Sequence, residues 1–325
     1  MTLRSRFKNR VKEIVDEGVE GIVAFCPFSF LAAIRFKSRT PVVYFALEIA
    51  DFHWNGFFKS PLSHLNNLQT LNNLHKSDLV ATPSLQRSAW LAGRCGTSFL
   101  PETILNTAYI EQYDPNDSLE TFKAIIPPHF KNKTKVLYTG NVNERLCVFE
   151  MVKAYDLLQS DDCALIITGI KDNDYCNEIK SFSKQSKLSN NILLLPFVTR
   201  AEMIALQIHS DIGVCVFREY NDHIASKMIA PNKIGEYLYR NLFLLGVRGA
   251  YMDVFEANGV AALARDSEVG SIKDALSDAL IKLKQAETSS KISNFVKKYY
   301  CMQVQAAPIV NYFVNRKNTT KQQNN

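Results

Sequence analysis

Ala230–Leu245 reads APNKIGEYLYRNLFLL, a helix running into a strand. Ile234, Tyr237 and Leu238 recur at i, i+3 and i+4, the apolar face of a helix that packs on a core. Pro231 suits the first turn, where its missing N–H costs nothing. The apolar run that follows is short and continuous, as in a buried strand of an α/β domain. Lys233 and Glu236 stand one turn apart on another face, close behind the helix start. An ion pair on a solvated face would be worth only about 0.2–0.5 kcal/mol. The functional alternative is a cation that reaches a phosphate and a carboxylate that accepts from a sugar diol.

The same rhythm extends outward in both directions. TKVLYTGN, CALIITG, NILLLPFV and DIGVCVFR read as strands, and VFEMVKAYDLLQ, DYCNEIKSFSKQSKL and RAEMIALQIHS as the helices between them. SIKDALSDALIKLKQA is a further helix. Apolar strands alternating with amphipathic helices predict a parallel sheet covered on both faces. The first part of the chain repeats the pattern with GIVAFCPFS, TPVVYFALE and SDLVATPS. A segment from about Tyr113 to Lys133, rich in Pro, Asn and Lys, reads as the linker. The expected domains are 1–130 and 131–290. A C-terminal helix within 291–325 is expected to return to the first domain, ending in a polar, disordered tail.

The 325 residues suit two domains. A net charge of +6 is too small to argue for nucleic acid, and no nucleic-acid partner is expected. The seven cysteines form no CxxC pair, which argues against zinc, and several sit in apolar runs as small hydrophobes. A reducing cytoplasm is their natural home. The N-terminus lacks the apolar core of a signal peptide, and no run of about 20 apolar residues predicts a membrane span. Leu3, Phe7, Val11, Ile14 and Val15 form one face of an N-terminal helix whose other sides are basic. Such a helix can lie on an anionic membrane, giving a peripheral place at its inner face, or on its own domain.

In VLYTGNVNER a strand ends at Gly140 and Arg145 follows near a helix start. A glycine lets backbone approach a ligand, and a helix start with a guanidinium favours phosphate. The stretch is neither GxGxxG nor a Walker loop, which removes support from dehydrogenase and ATPase readings. Ser84 in TPS has no GxSxG elbow around it and reads as a helix N-cap. His53 reads as a solvated or capping histidine or as a phosphate contact.

The ordered series strand–Gly140–Arg145, LIITG, LLPFVTRAEM, SDIGVCVFRE and PNKIGEYLYRNLFLL resembles the donor domain of retaining glycosyltransferases of family 4. It covers Thr134 to about Leu283. The resemblance implies the GT-B architecture, two Rossmann-like domains facing a cleft, here with a shortened N-terminal domain. It implies transfer of a sugar from a nucleotide-diphosphate sugar to a saccharide or lipid-linked acceptor, with retention and without a metal or other cofactor. Surface polysaccharide or glycan biosynthesis is the implied setting. By the same resemblance Glu236 meets the donor ribose, Arg145 and Lys233 the diphosphate, and Asn232 the phosphates and sugar. Phe197 and Val198 form the turn that meets the base, and Gly140 lets the loop pass the donor.

Several positions depart from the family pattern. The family's first glutamate falls at Met228, where Glu219, Asp222 or His223 nearby are the substitutes. Asn141 stands where a second loop arginine is usual. TPVVYFALEIADF resembles the acceptor-domain strand, with Glu48 as its acid and Leu47 in place of a histidine. On the order of half of a typical acceptor domain of ~100–200 residues is expected to be missing, by natural shortening or truncation. Two rival readings share the donor pocket. One is a non-catalytic GT-B protein that partners another transferase, and the other is a GT-B sugar-nucleotide epimerase.

Overall fold

A computed structural model describes residues 3–48, 58, 60–96, 100–107, 114–218, 230–249 and 251–323. By contact the chain forms two units, Met1–Leu105 with Gln303–Asn325, and Asn106–Met302. The expected boundaries lay instead at 130/131 and 290/291.

The first unit contains α1 (Leu3–Asp16), β1 (Ile22–Ala24), α2 (Pro27–Ala33), β2 (Val42–Phe45), α3 (Pro61–Asn73), β3 (Leu79–Thr82), α4 (Leu85–Cys95) and β4 (Glu102–Thr103). The strands form one parallel sheet in the order β1-β2-β3-β4. Phe30, Val42, Tyr44, Leu74, Val80 and Leu91 fill its core. Ser84 caps α4 by accepting from the Arg87 amide at 3.2 Å, as TPS predicts. The basic helix α1 lies on its own unit. The Phe7 ring sits 5.1 Å from Phe28, Val15 is buried, and Asp16 pairs with Arg39 at 2.7 Å.

The second unit begins with α5 (Pro115–Ile125), inside the stretch read as linker. Asp114 caps it and Pro115 opens it, a start signal that outweighed the composition. There follow β5 (Thr134–Tyr138), α6 (Val148–Leu158), β6 (Cys163–Ile167), α7 (Asp174–Gln185), β7 (Ile192–Leu194) and α8 (Arg200–Ile208). Next come β8 (Ile212–Cys215), α9 (Asn232–Tyr239), β9 (Phe243–Val247), α10 (Asp253–Ala257), β10 (Ala261–Ala264), α11 (Val269–Leu283) and α12 (Thr288–Phe295). Six parallel strands lie in the order β10-β9-β8-β5-β6-β7. Strands β6, β8 and β9 are almost wholly buried, as their unbroken apolar runs require, and so are Val136–Tyr138 of β5.

A last helix, α13 (Met302–Gln323), belongs by contact to the first unit. The Phe313 ring lies where a Cβ on Gly21 would stand, and Arg316 pairs with Asp78 at 3.2 Å. The helix continues to Gln323 through the tail expected to be disordered, with no glycine or proline after Pro308 to stop it. Among the described residues no helix is long and apolar enough to cross a membrane.

Candidate functional site

The strand order of the second unit reverses between β5 and β8. The chain leaves β5 towards β6 and β7, then crosses back to β8 on the other side. At such a switch point the loops part and leave a crevice beyond the carboxyl ends of the two strands. Thr139, Gly140 and Asn141 follow β5 there, and Val216, Phe217 and Arg218 follow β8. The two loops are tied where the Arg218 amide donates to the Arg145 carbonyl at 2.9 Å.

Helix α9 is seated against this point by Tyr237. Its ring occupies the space a side chain on Gly213 of β8 would take, where a Cβ would come within 2.3 Å of it. Its hydroxyl accepts from the Thr139 amide at 2.8 Å. Lys233 precedes Tyr237 by four residues and therefore shares its helix face, rather than lying on the separate face expected from the sequence. The Lys233 ammonium stands 3.9 Å from the centre of the Tyr138 ring and 5.8 Å from that of Phe217. A Cβ on Gly140, whose φ is +126°, would lie 3.7 Å from it. Burial away from water lowers the Lys233 pKa to about 8. Among the described residues no carboxylate forms an ion pair with it.

Glu236 does not pair with Lys233. Arg200 donates to its Oε1 at 2.7 Å, and Gln207 donates to its Oε2 at 3.0 Å. The glutamate side chain keeps 18% of its exposure. Arg200 opens α8 directly after the turn containing Phe197 and Val198. Thr199 caps that helix, accepting from the Glu202 amide at 3.3 Å while Glu202 accepts from the Thr199 amide at 2.7 Å. The carboxylate of Glu236 is thus joined to the turn carrying Phe197, a residue 59% exposed.

A second contact joins that turn to the β5 loop. A Cβ on Gly169, at φ +91°, would strike the Gly140 carbonyl oxygen at 1.9 Å and come within 3.7 Å of the Phe197 ring. Lys171 donates to the Asn141 side-chain oxygen at 3.1 Å and stands 5.3 Å from the centre of the Phe197 ring. Tyr138 donates to the Asn141 carbonyl.

The candidates Gly140, Asn141, Phe197, Val198, Lys233 and Glu236 are therefore linked by direct contacts or adjoining residues at one end of one sheet. Asn232 is exposed at the start of α9, and the Arg145 side chain is exposed on the β5 loop. Glu48 is exposed after β2, in the first unit. His223, with Glu219, Asp222 and Met228, lies outside the described residues, as does His53. Sequence reasoning passed over Arg200, Gln207, Lys171, Gly169 and Arg218. Arg200 had a signal, since TRAE is a capping box that places it at the first turn of a helix. Gln207 had none, because a glutamine within an amphipathic helix looks like any polar position. Arg218 pairs with Glu150 at the first turn of α6. Among the described residues no three His, Cys, Asp or Glu side chains converge as metal ligands.

No protein-family model matches the chain, and no curated protein does. Solved structures match closely in shape. Anabaena Alr3699/HepE in complex with UDP superposes with a TM-score of 0.72 over 94% of this chain and 82% of its own, at 16% identity. A glycosyltransferase from Rickettsia africae gives 0.69 over 94% and 80%, at 12% identity. A Listeria monocytogenes protein described provisionally as a UDP-N-acetylglucosamine 2-epimerase gives 0.58 over 94% and 77%, at 15% identity. The fold is GT-B. At these identities the likeness fixes the fold of the chain, and the chemistry must be argued from its own residues.

Proposed function

We propose that this protein is a glycosyltransferase that uses a nucleotide-diphosphate sugar. The Lys233 ammonium carries the reading. It is a partly buried cation with no carboxylate paired to it among the described residues, held at the switch point against a glycine loop. A diphosphate would supply an anion for it. In this reading Glu236 accepts from the ribose hydroxyls and the Phe197–Val198 turn receives the base. Asn232 and Asn141 border the phosphates and sugar, and Arg145 is the second cation. His223 is kept as a donor-side substitute for the absent first glutamate. As the bond between sugar and diphosphate breaks, charge grows on the leaving diphosphate, and fixed cations stabilise it more than they stabilise the ground state. Retention of configuration and independence of metal belong to the same proposal.

The acceptor is a saccharide or a lipid-linked oligosaccharide, with Glu48 as the acid on its side, and the product belongs to surface polysaccharide or glycan biosynthesis. A lipid-linked acceptor would bring the basic helix α1 to the inner face of a membrane. That the named neighbours include one crystallised with UDP and one called a glycosyltransferase supports the donor class.

Calorimetric titration with UDP, GDP, CMP and the matching sugar nucleotides tests the reading. One nucleoside diphosphate is expected to bind, and binding should be lost or much weakened in Lys233→Met and Glu236→Ala. Failure of every nucleotide to bind would remove the proposal. The Listeria neighbour keeps a second reading, epimerisation at C2 of a UDP-sugar. Exchange of solvent deuterium into UDP-N-acetylglucosamine without any acceptor would favour it.

A further inference from the structure

Glu236 is held from two sides by residues to which no role has so far been given. We infer that Arg200 and Gln207 are positioning residues that set the Glu236 carboxylate to read the two ribose hydroxyls of the donor. The inference rests on the nucleotide-sugar reading of the crevice.

Gln207 is fully buried in α8. Its Nε2 donates to Glu236 Oε2 at 3.0 Å, while its own Oε1 has no hydrogen-bond partner. A buried amide with one end unpaired is costly, and an apolar residue of similar size would avoid that cost. Its donor end does what an apolar residue cannot, which is to fix one oxygen of a carboxylate on the neighbouring helix. Arg200 fixes the other oxygen at 2.7 Å.

An ionised carboxylate offers about four lone-pair sites. Arg200 and Gln207 take one on each oxygen. One on each oxygen remains, which matches a vicinal diol donating through both hydroxyls. A glutamate has three side-chain torsions to order, and two donors arriving from different positions on α8 hold them before the ligand arrives. Arg200 also balances the carboxylate charge, so that a glutamate near an anionic diphosphate need not repel it. Because Arg200 follows the Phe197–Thr199 turn directly, the contacts to base and ribose are built as one unit.

The test compares UDP with 2′,3′-dideoxyuridine diphosphate on the full chain, using wild type, Gln207→Met, Arg200→Met and Glu236→Gln. A thermal-unfolding double-mutant cycle for Gln207 and Glu236 runs beside it. Wild type should prefer UDP by about tenfold or more, the worth of hydrogen bonds to a charged acceptor. In Gln207→Met and Arg200→Met the preference should fall towards one, with less change for the dideoxy ligand, and the cycle should show coupling. A merely structural role would weaken both ligands alike. Full preference retained in both folded variants would overturn the inference and leave the donor site standing. Equal binding of the two ligands by wild type would also overturn it. No binding of UDP, GDP or the matching dideoxy analogues by wild type, with the unfolding cycle still coupled, would sink the nucleotide reading and reduce the clamp to a helix–helix contact.

Discussion

The two parallel sheets differ in one respect that matters for function. In the first unit the strands follow one another in sequence order, β1 to β4, and no reversal occurs among them. In the second the order reverses between β5 and β8. Only a reversal parts neighbouring loops at the carboxyl ends of strands. The described candidates gather there accordingly, around Lys233, Gly140 and Phe197, whereas Glu48 stands exposed after β2 on the sequential sheet. The general lesson is that strand order, more than strand count or burial, decides which of two similar sheets carries a built site.

The glycines give the strongest way to break this comparison. Gly169→Ala would drive a Cβ into the Gly140 carbonyl oxygen at 1.9 Å and would force a side chain onto a residue at φ +91°. Overpacking and left-handed strain together should cost about 3 kcal/mol. Nucleotide affinity should fall as well, because the β5 loop must move. Thermal unfolding and calorimetry check both. A variant as stable as wild type and unchanged in binding would mean that the two loops are not coupled.

Lys233→Met comes next. Loss of a charge-assisted contact should weaken nucleoside diphosphate binding by about 10- to 100-fold. The same substitution should leave the melting temperature unchanged or raise it, since it removes a partly buried cation without a carboxylate partner among the described residues. Opposite signs on affinity and stability mark a functional residue. A large loss of stability with no loss of affinity would show Lys233 to be structural.

The pH dependence follows from the same group. Burial lowers its pKa to about 8, below the ordinary lysine value. Below pH 8 the ammonium is present in the folded state at a cost, and that cost is relieved as pH rises from 8 towards the unfolded value. This group therefore adds stability with rising pH. Ligand binding runs the other way, because the anion needs the ammonium. Affinity should decline as pH climbs through 8, with proton uptake on binding near that pH, seen as a dependence of the calorimetric heat on the buffer. Lys233→Met should abolish the uptake.

Much of the fold was legible because buried parallel strands write themselves as unbroken apolar runs. CALII and FLLGV are read at once, and the helices between them by their 3.6-residue period. Helix α5 was hidden by the prolines and asparagines around it, although Asp114-Pro115 is itself a helix start. At the site, glycine and lysine were legible as types. Their partners were not, since Arg200 and Gln207 precede Glu236 by 36 and 29 residues and meet it only when α8 and α9 pack. The expected choice between a Lys233–Glu236 pair and two separate roles could not be made from spacing, because i, i+3 permits a contact without requiring one. In the structure Glu236 pairs with the arginine of the neighbouring helix instead of with Lys233.

A smaller effect sharpens the contrast from the side of the first unit. Gly93 lies inside α4, with nothing within 4 Å of where a Cβ would stand. Gly93→Ala should therefore stabilise by about 0.5–1 kcal/mol through the helix preference alone. A rise in melting temperature here, beside the fall in Gly169→Ala, would separate a glycine of composition from a glycine of construction.

The smallest expected effect concerns how α5 is held against α8 in the second unit. Helix α5 packs on α8 through Ser118, whose hydroxyl lies 3.2 Å from His209 Nε2, and through Phe122, whose ring lies 5.0 Å from the imidazole. Burial, with Lys135 as the nearby cation, holds the His209 pKa below the ordinary histidine value of 6.5. As pH falls through 6.5 the unfolded chain takes the proton first, so the stability this contact contributes is full at neutral pH and is lost progressively on acidification. His209→Gln removes the titration while keeping a polar partner for Ser118. Between pH 7 and pH 5 the wild-type melting temperature should fall further than that of the variant. Equal falls would mean that α5 is held by Phe122 and its apolar neighbours alone, and that the imidazole adds nothing that protonation can take away.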